Sequence, residues 1–163
     1  MSATISDCGR YRYVLTRPPI SPWRIQPWWR PAVFCMLNPS TADATLDDPT
    51  IRRCRGFAER NDSAFNGIVV VNLYALRSTD PRALWNHADP IGPENDRWLR
   101  DVAACSEVVC AWGANAREDR VRQVVEILRA AGASLLCLGQ TKDGHPRHPL
   151  YVRSDHPLVP WSP

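Results

Sequence analysis

Four short segments of this chain carry polar side chains that could recognise and cleave a small ligand. Three of them follow apolar runs, and they are Asn38-Pro39-Ser40, Asn72-Leu73-Tyr74 and Trp112-Gly113. In the fourth, near the end of the chain, His145 and His148 each precede a proline. A side-chain amide has both a donor and an acceptor, so it can match one edge of a nucleobase. A near-neutral imidazole can donate a hydrogen bond to a developing negative charge.

Each of these segments also has a purely structural interpretation. Asn-Pro-Ser is an ordinary turn initiator, and Pro39 must end any strand that reaches it. Asn72 could satisfy backbone groups at the end of its strand, and Trp112 is favoured as a core residue. The carboxyl ends of parallel strands meet at one edge of a sheet, where ligands of open α/β sheets bind. If these runs are parallel strands, two amides and an imidazole could therefore meet in one cleft.

The loop after Pro39 is acidic, with Asp43, Asp47 and Asp48 close together. These carboxylates could bind a metal, or one of them could act as a general base. The favoured interpretation is a solvated loop in which Asp48 or Thr50 caps the next helix. There is no glycine-rich phosphate loop, nucleophile elbow or carboxylate pair beside the strand ends.

The apolar pattern predicts a doubly wound α/β domain that positions these segments. Continuous or β-branched apolar runs predict strands over residues 11–16, 33–37, 68–73, 107–111 and 134–138. Helical periodicity predicts helices over residues 50–61, 93–105 and 117–131. Alternating strands and helices favour a central, mostly parallel sheet of four to five strands in a three-layer sandwich. Residues 1–163 are interpreted as one domain, with an irregular strand and loop over residues 1–31 packed on it.

Composition limits the class of protein. The chain has 163 residues, 44% of them hydrophobic, and a formal net charge of +3. No apolar stretch approaches the ~20 residues of a membrane span, and no secretory signal is evident. The basic residues are nearly all arginine, which suits phosphate contacts but is equally well explained by a genome rich in G and C. We expect a cytoplasmic, monomeric protein that makes no membrane contact.

The six cysteines are scattered and form no Cys-x-x-Cys pair. They are interpreted as free, mostly buried thiols in a reducing cytoplasm. Four suitably spaced metal ligands are missing, so no metal and no other cofactor is expected.

The order and spacing of the four segments resemble the uracil-DNA glycosylase superfamily. The similar segments are L-N-P-S (37–40), V-V-V-N-L (69–73), C-A-W-G (110–113) and R-H-P-L-Y (147–151). More narrowly, L-N-P-S-T-A-D and T-K-D-G-H-P-R-H-P-L-Y are similar to the family of domain of unknown function 1643, which brings no established activity. The superfamily resemblance implies a uracil-DNA glycosylase-like fold and a base-flipping enzyme.

That resemblance also implies roles for individual residues. Asn38 would position the attacking water through its side-chain carbonyl, and His148 would stabilise charge on the departing base. Asn72 would read the base edge. Other predicted base-binding residues are Leu37 and Tyr74, and the predicted DNA-binding residues are Ser40, Arg52, Arg53, Arg147, Leu150 and Tyr151. The chain departs from the superfamily pattern because asparagine replaces the more usual aspartate and the late serine is missing.

The leading functional hypothesis is hydrolysis of the N-glycosidic bond of a damaged or modified, uracil-like base in DNA. One alternative is a non-catalytic module that binds a nucleotide or modified DNA. Another is a hydrolase or transferase that acts on free nucleosides or nucleotides. The sequence leaves all three open.

Overall fold

A single β-sheet forms the centre of the protein. The structure is a computed structural model that describes residues 1–21, 30–40, 42–61, 65–104 and 106–163. In these ranges the strands are β1 (Ser2–Ile5), β2 (Arg12–Arg17), β3 (Ala32–Met36), β4 (Ile68–Asn72), β5 (Glu107–Cys110), β6 (Ser134–Cys137) and β7 (Val159–Pro160). Their order in the sheet is β1-β2-β4-β3-β5-β6-β7.

The four central strands, β4, β3, β5 and β6, are parallel, as their apolar sequences predict. The prediction of four to five strands was wrong, since the part of the chain that the structure describes has seven. The two strands that the sequence did not reveal, β1 and β7, pair antiparallel at the two edges. Both are short and less buried than the central strands, so they lack a continuous apolar run.

Helices cover both faces of the sheet. They are α1 (Pro49–Asn61), α2 (Asn95–Ala103) and α3 (Glu118–Ala130), together with short 3₁₀ helices over Pro81–Asn86 and Pro149–Tyr151. The helix predicted over residues 93–105 begins later, at Asn95, and ends earlier, at Ala103. Cys105, the last residue of the predicted helix, lies outside the described residues. Most of the predicted loop over 17–31, namely residues 22–29, also lies outside them.

Side chains that alternate along each strand form two separate cores. Phe34 of β3 packs with α1, whereas Cys35 packs on the side of α2 and α3. The same alternation places Val70 of β4 in the core beneath α1. Asn72 follows two residues later, so its side chain lies on the α1 face, at the carboxyl edge of the sheet.

Among the described residues, no helix is long and apolar enough to cross a membrane. Within the same ranges, Cys35, Cys54, Cys110 and Cys137 are buried free thiols, whereas Cys8 is exposed.

Candidate functional site

A cavity of about 580 Å³ opens at the carboxyl edge of the parallel strands, on the side of α1. This volume is in the usual range for small-molecule sites. Asn38, Asn72 and His148, the three residues predicted to meet in one cleft, all line it. Other lining residues come from the ends of β3 and β5, from the start of α1 and from the 3₁₀ helix of the tail, and they include Leu37, Ser40, Asp48, Trp112, Gly113, Arg147, Leu150 and Tyr151.

The Asn38 side chain is held in one orientation by the backbone. Its Nδ2 donates to the carbonyl oxygen of Pro39 at 3.0 Å and to that of Ser78 at 2.9 Å. Two carbonyl acceptors can be satisfied only by the NH₂ group, so the orientation of the amide is determined. The side-chain oxygen Oδ1 has no hydrogen-bond partner among the described residues. It is therefore free to accept a hydrogen bond from water or ligand.

Asn72 is the most unusual polar residue of the cavity. The residue is 1% exposed, and neither Oδ1 nor Nδ2 has a hydrogen-bond partner among the described residues. The interpretation that Asn72 merely satisfies the backbone at its strand end is wrong. Asn95 instead does this, because its Nδ2 donates to the carbonyl oxygens of Asn72 and Leu73, each at 3.0 Å. A buried unpaired donor or acceptor costs about 1–3 kcal/mol, so Asn72 lacks a partner that a ligand could supply.

His148 lies on the other side of β3 from Asn72, against the end of β5. A Cβ at Gly113 would lie 3.4 Å from the Cβ of His148, and the φ of Gly113, 76°, also favours glycine. The Gly113 N–H donates to the Pro146 carbonyl at 3.0 Å, which fixes the tail beside β5. The Leu150 N–H donates to His148 Nδ1 at 3.4 Å. The neutral ring must therefore carry its proton on Nε2. Burial lowers the pKa of His148, and the negative charge of Asp48 opposes this in part. The lowered pKa favours the neutral ring at pH 7.

Of the acidic loop, only Asp48 reaches the cavity among the described residues. Its Oδ1 accepts the Ile51 N–H at 2.9 Å, which confirms the predicted cap of α1. Asp47 instead pairs with the fully buried Arg17 at 2.5 Å and with Arg55 at 2.8 Å. In the described ranges no cluster of three or more potential ligands could hold a metal ion.

Sequence reasoning missed Arg12, which lines the same cavity and is 2% exposed. It lies on β2, the neighbour of β4, so it enters the cavity beside Asn72. Burial lowers the pKa of Arg12 to about 10, mainly through desolvation, so the side chain remains a cation at neutral pH. The one signal in the sequence was a charged residue between two aromatic residues, Tyr11 and Tyr13, in a predicted strand. The pairing of that strand on both sides is visible only in the structure.

Two apolar side chains stand exposed at the mouth of the cavity. Leu150 is 43% exposed and Tyr151 is 82% exposed, and both line the opening. Arg147 lies beside them, with its Nε donating to the Gln140 carbonyl at 2.9 Å. Leu37 and Ser40 complete the lining near the end of β3. The predicted contacts of these five residues with base or DNA stay predictions, but all five are placed where such contacts are possible.

Three predicted site residues lie elsewhere. Tyr74 is buried on the opposite face, 5.3 Å from Trp85 between ring centres, because the chain has left β4 by then. Arg53 does not reach the cavity, since its guanidinium donates to the carbonyl oxygens of Pro149 and Val152 and lies over the ring of Phe57. Arg52 is exposed outside the cavity and donates to the Asp47 carbonyl at 2.6 Å. Tyr74 thus cannot bind a base in this cavity, and Arg53 has a structural role.

The fold is that of an α/β protein with a cavity of small-molecule size at the carboxyl edge of its parallel strands. The chain belongs to the family described as a protein of unknown function (DUF1643), whose model matches residues 12–150. No curated protein and no solved structure matches the chain. The similarity to uracil-DNA glycosylases therefore rests on the four sequence motifs alone.

Proposed function

We propose that this protein hydrolyses the N-glycosidic bond of a damaged or modified, uracil-like base in DNA. The observation that supports this most is the amide of Asn72, which is buried and unpaired in a cavity shared with Asn38 and His148. A pyrimidine edge presents a donor beside an acceptor, so it can pair with both atoms of this amide.

The order of the strands suggests how the base would lie. Asn72 ends β4, Asn38 follows β3, and His148 packs against the end of β5 on the far side. A planar base that spans β3 would meet Asn72 at one edge and the Nε2–H of His148 at another. When the glycosidic bond breaks, its electron pair leaves with the base. The Nε2–H of His148 would stabilise the negative charge that develops on a base oxygen.

Water must attack the sugar carbon from the opposite side to the base. The free Oδ1 of Asn38 can orient that water, although an amide cannot take its proton. Asp48 is the one carboxylate among the described residues that line the cavity, so we assign it the role of proton acceptor. Leu150 and Tyr151 at the mouth would fill the gap that a flipped base leaves in the duplex, while Arg147 contacts phosphate.

The experiment is incubation with oligonucleotides that carry uracil, 5-hydroxymethyluracil or other modified bases, followed by alkaline cleavage at abasic sites. We expect excision of at least one base, and a loss of about 10²–10³-fold in rate for His148→Ala, the scale of losing one such donor. His145→Ala is the matched control, because His145 also precedes a proline but does not line the cavity. No cleavage across the panel, or equal rates for the two variants, would contradict the proposal.

A non-catalytic binding module is the second candidate, favoured by the amide at position 38 where a carboxylate would be the stronger catalyst. In that case the wild-type protein binds a modified oligonucleotide, Asn72→Leu weakens the binding, and no abasic site forms. Titration of the same oligonucleotides under conditions of the cleavage assay separates the two candidates.

A further inference from the structure

Three arginines are almost completely buried in the part of the chain that the structure describes, and one of them differs from the others. Arg17 pairs with Asp47 at 2.5 Å, and Arg120 pairs with Asp96 at 2.6 Å. Arg12 has no carboxylate oxygen within 4.0 Å among the described residues, and it is the one of the three that lines the cavity. The charges of Asp48 and Asp43 act on Arg12 from farther away, but the effect of burial still outweighs theirs. A desolvated cation without a directly paired carboxylate is costly, so a partner from outside the chain would offset that cost.

The free edge of Arg12 shows which partner would fit. Nη1 donates to the carbonyl oxygen of Ala42, which fixes the guanidinium against the loop before α1. Nε is buried without a partner, and Nη2 makes no hydrogen bond to a described residue. These two nitrogens form one edge of the guanidinium, with parallel N–H bonds that match the two oxygens of a carboxylate.

The position of Arg12 in the sheet decides which part of the ligand it meets. β2 is the neighbour of β4, and adjacent strands lie about 4.8 Å apart, so Arg12 enters beside Asn72. His148 lies beside Gly113, after the end of β5 and thus on the opposite side of β3. The exposed residues Leu150 and Tyr151 follow His148 in the chain and line the mouth of the cavity. A nucleotide bound as proposed would have its sugar and phosphates at the mouth, and a substituent of its base at Arg12.

We propose that Arg12 makes the cavity selective for a pyrimidine that carries an anionic substituent, such as a carboxylate, on the edge next to the one that Asn72 reads. This assignment rests on the proposed base-binding function and names its substrate class. The carboxylate would receive both N–H bonds of the free guanidinium edge while the amide of Asn72 pairs with the ring.

Calorimetric titration of the purified protein with free bases tests this selectivity without any bond cleavage. The probes are uracil, 5-hydroxymethyluracil and 5-carboxyuracil. We expect 5-carboxyuracil to bind at least about tenfold more tightly than uracil, the effect of one charge-assisted hydrogen bond of about 1.5 kcal/mol or more. Arg12→Met should abolish this preference, and thermal melts of that variant verify that it is folded.

Arg97→Met is the charge-matched control, because Arg97 is exposed on α2, away from the cavity. It should retain the preference for 5-carboxyuracil. Equal or tighter binding of uracil by the wild type, or a preference that survives Arg12→Met, would overturn the assignment. A parallel titration with uridine and its 5′-monophosphate tests whether Arg12 instead binds the phosphate of a nucleotide. An Arg12-dependent preference for the phosphate, with none for 5-carboxyuracil, would also overturn it.

The outcome is separable from that of the excision assay. Excision of uracil with no Arg12-dependent preference would leave the glycosylase activity standing and refute the substrate class. Selective binding of 5-carboxyuracil without excision from any oligonucleotide, 5-carboxyuracil included, would uphold the anion site and refute the glycosylase activity.

Discussion

At the end of β4, the buried polar side chains on the two faces of the sheet differ in how many hydrogen bonds they make. On the side of α2 and α3, Asn95 and Arg120 donate to the backbone carbonyls there, and Arg120 also pairs with Asp96. On the side of α1, Asn72 and the neighbouring Arg12 are buried to the same degree. Within the part of the chain that the structure describes, however, the Asn72 side chain makes no hydrogen bond and that of Arg12 makes one.

This contrast shows that burial alone does not separate structural polar residues from ligand-binding ones. Asn95 stabilises the fold through its side-chain N–H groups, even though its own Oδ1 has no partner among the described residues. The side chain of Asn72 makes no hydrogen bond to any described residue, and Asn72 lines an open cavity. We infer that buried polar groups which the chain leaves unpaired beside a cavity are kept for the ligand, at a cost in stability.

The largest effect that tests the contrast concerns the two buried arginines of β2. Arg17→Met removes one of the two arginine partners of Asp47 and the donor to the carbonyls of Asp43 and Leu46. We expect the free energy of unfolding to fall by about 3–5 kcal/mol. Arg12→Met removes one hydrogen bond and a buried charge that no described carboxylate pairs with directly. The free energy of unfolding should therefore change by about 1 kcal/mol or less. Urea denaturation of both variants measures the difference. Equal losses would show that Arg12 is as structural as Arg17.

Substitution of the two buried asparagines should also change the free energy of unfolding unequally, with a smaller difference than for the two arginines. Asn95→Leu unpairs carbonyl groups at the end of β4 and should lower the free energy of unfolding by about 1–3 kcal/mol. Asn72→Leu has a similar volume and unpairs no described group, so stability should be unchanged or slightly higher. Its base binding and excision should nevertheless be lost. If Asn72→Leu unfolds as easily as Asn95→Leu, the amide of Asn72 has a structural partner and the contrast fails.

The smallest expected effect is the pH dependence that His148 contributes. Its pKa is lowered in the folded protein, so the unfolded chain takes up the proton first as the pH falls through its ordinary value of about 6.5. His148 therefore makes the fold less stable as the pH falls below about 6.5, and this penalty is absent at pH 7.5.

Comparison of the wild type with His148→Gln at pH 5.5 and 7.5 isolates this contribution, because the other histidines cancel. We expect His148→Gln to lose less stability than the wild type between the two pH values. Identical pH dependence in the two proteins would show that His148 titrates as it does in the unfolded chain.

The sequence predicted the parts of the fold that depend on continuous burial. The central strands β3, β4, β5 and β6 are apolar on both faces, and their parallel order follows from the helices between them. Edge strands such as Val159–Pro160 are set by a tertiary pairing with β6, which no local pattern reveals. The positions of Asn38 and Asn72 could be predicted as well, because a polar residue that ends a buried run must lie at the carboxyl edge of the sheet.

Arg12 and Tyr74 show why the rest of the site could not be predicted. Arg12 reaches the cavity only because β2 pairs antiparallel beside β4, and its sequence gives no sign of that neighbour. Tyr74 follows Asn72 closely, but the chain turns after β4 and places the ring against Trp85 on the other face. Which residues share a cavity is thus decided by strand order and by the direction of the chain after each strand.

The most direct test of the central claim is a nuclear magnetic resonance titration that observes the side-chain amides of Asn72 and Asn95. Uracil, 5-hydroxymethyluracil and 5-carboxyuracil are added separately to ¹⁵N-labelled protein, and the Asn72→Leu and Asn95→Leu variants assign the two NH₂ signals. If Asn72 reads the base, its signals shift as the base saturates the cavity, whereas those of Asn95 stay in place. Unchanged Asn72 signals with a base shown to bind, or equal shifts of both amides, would contradict the account.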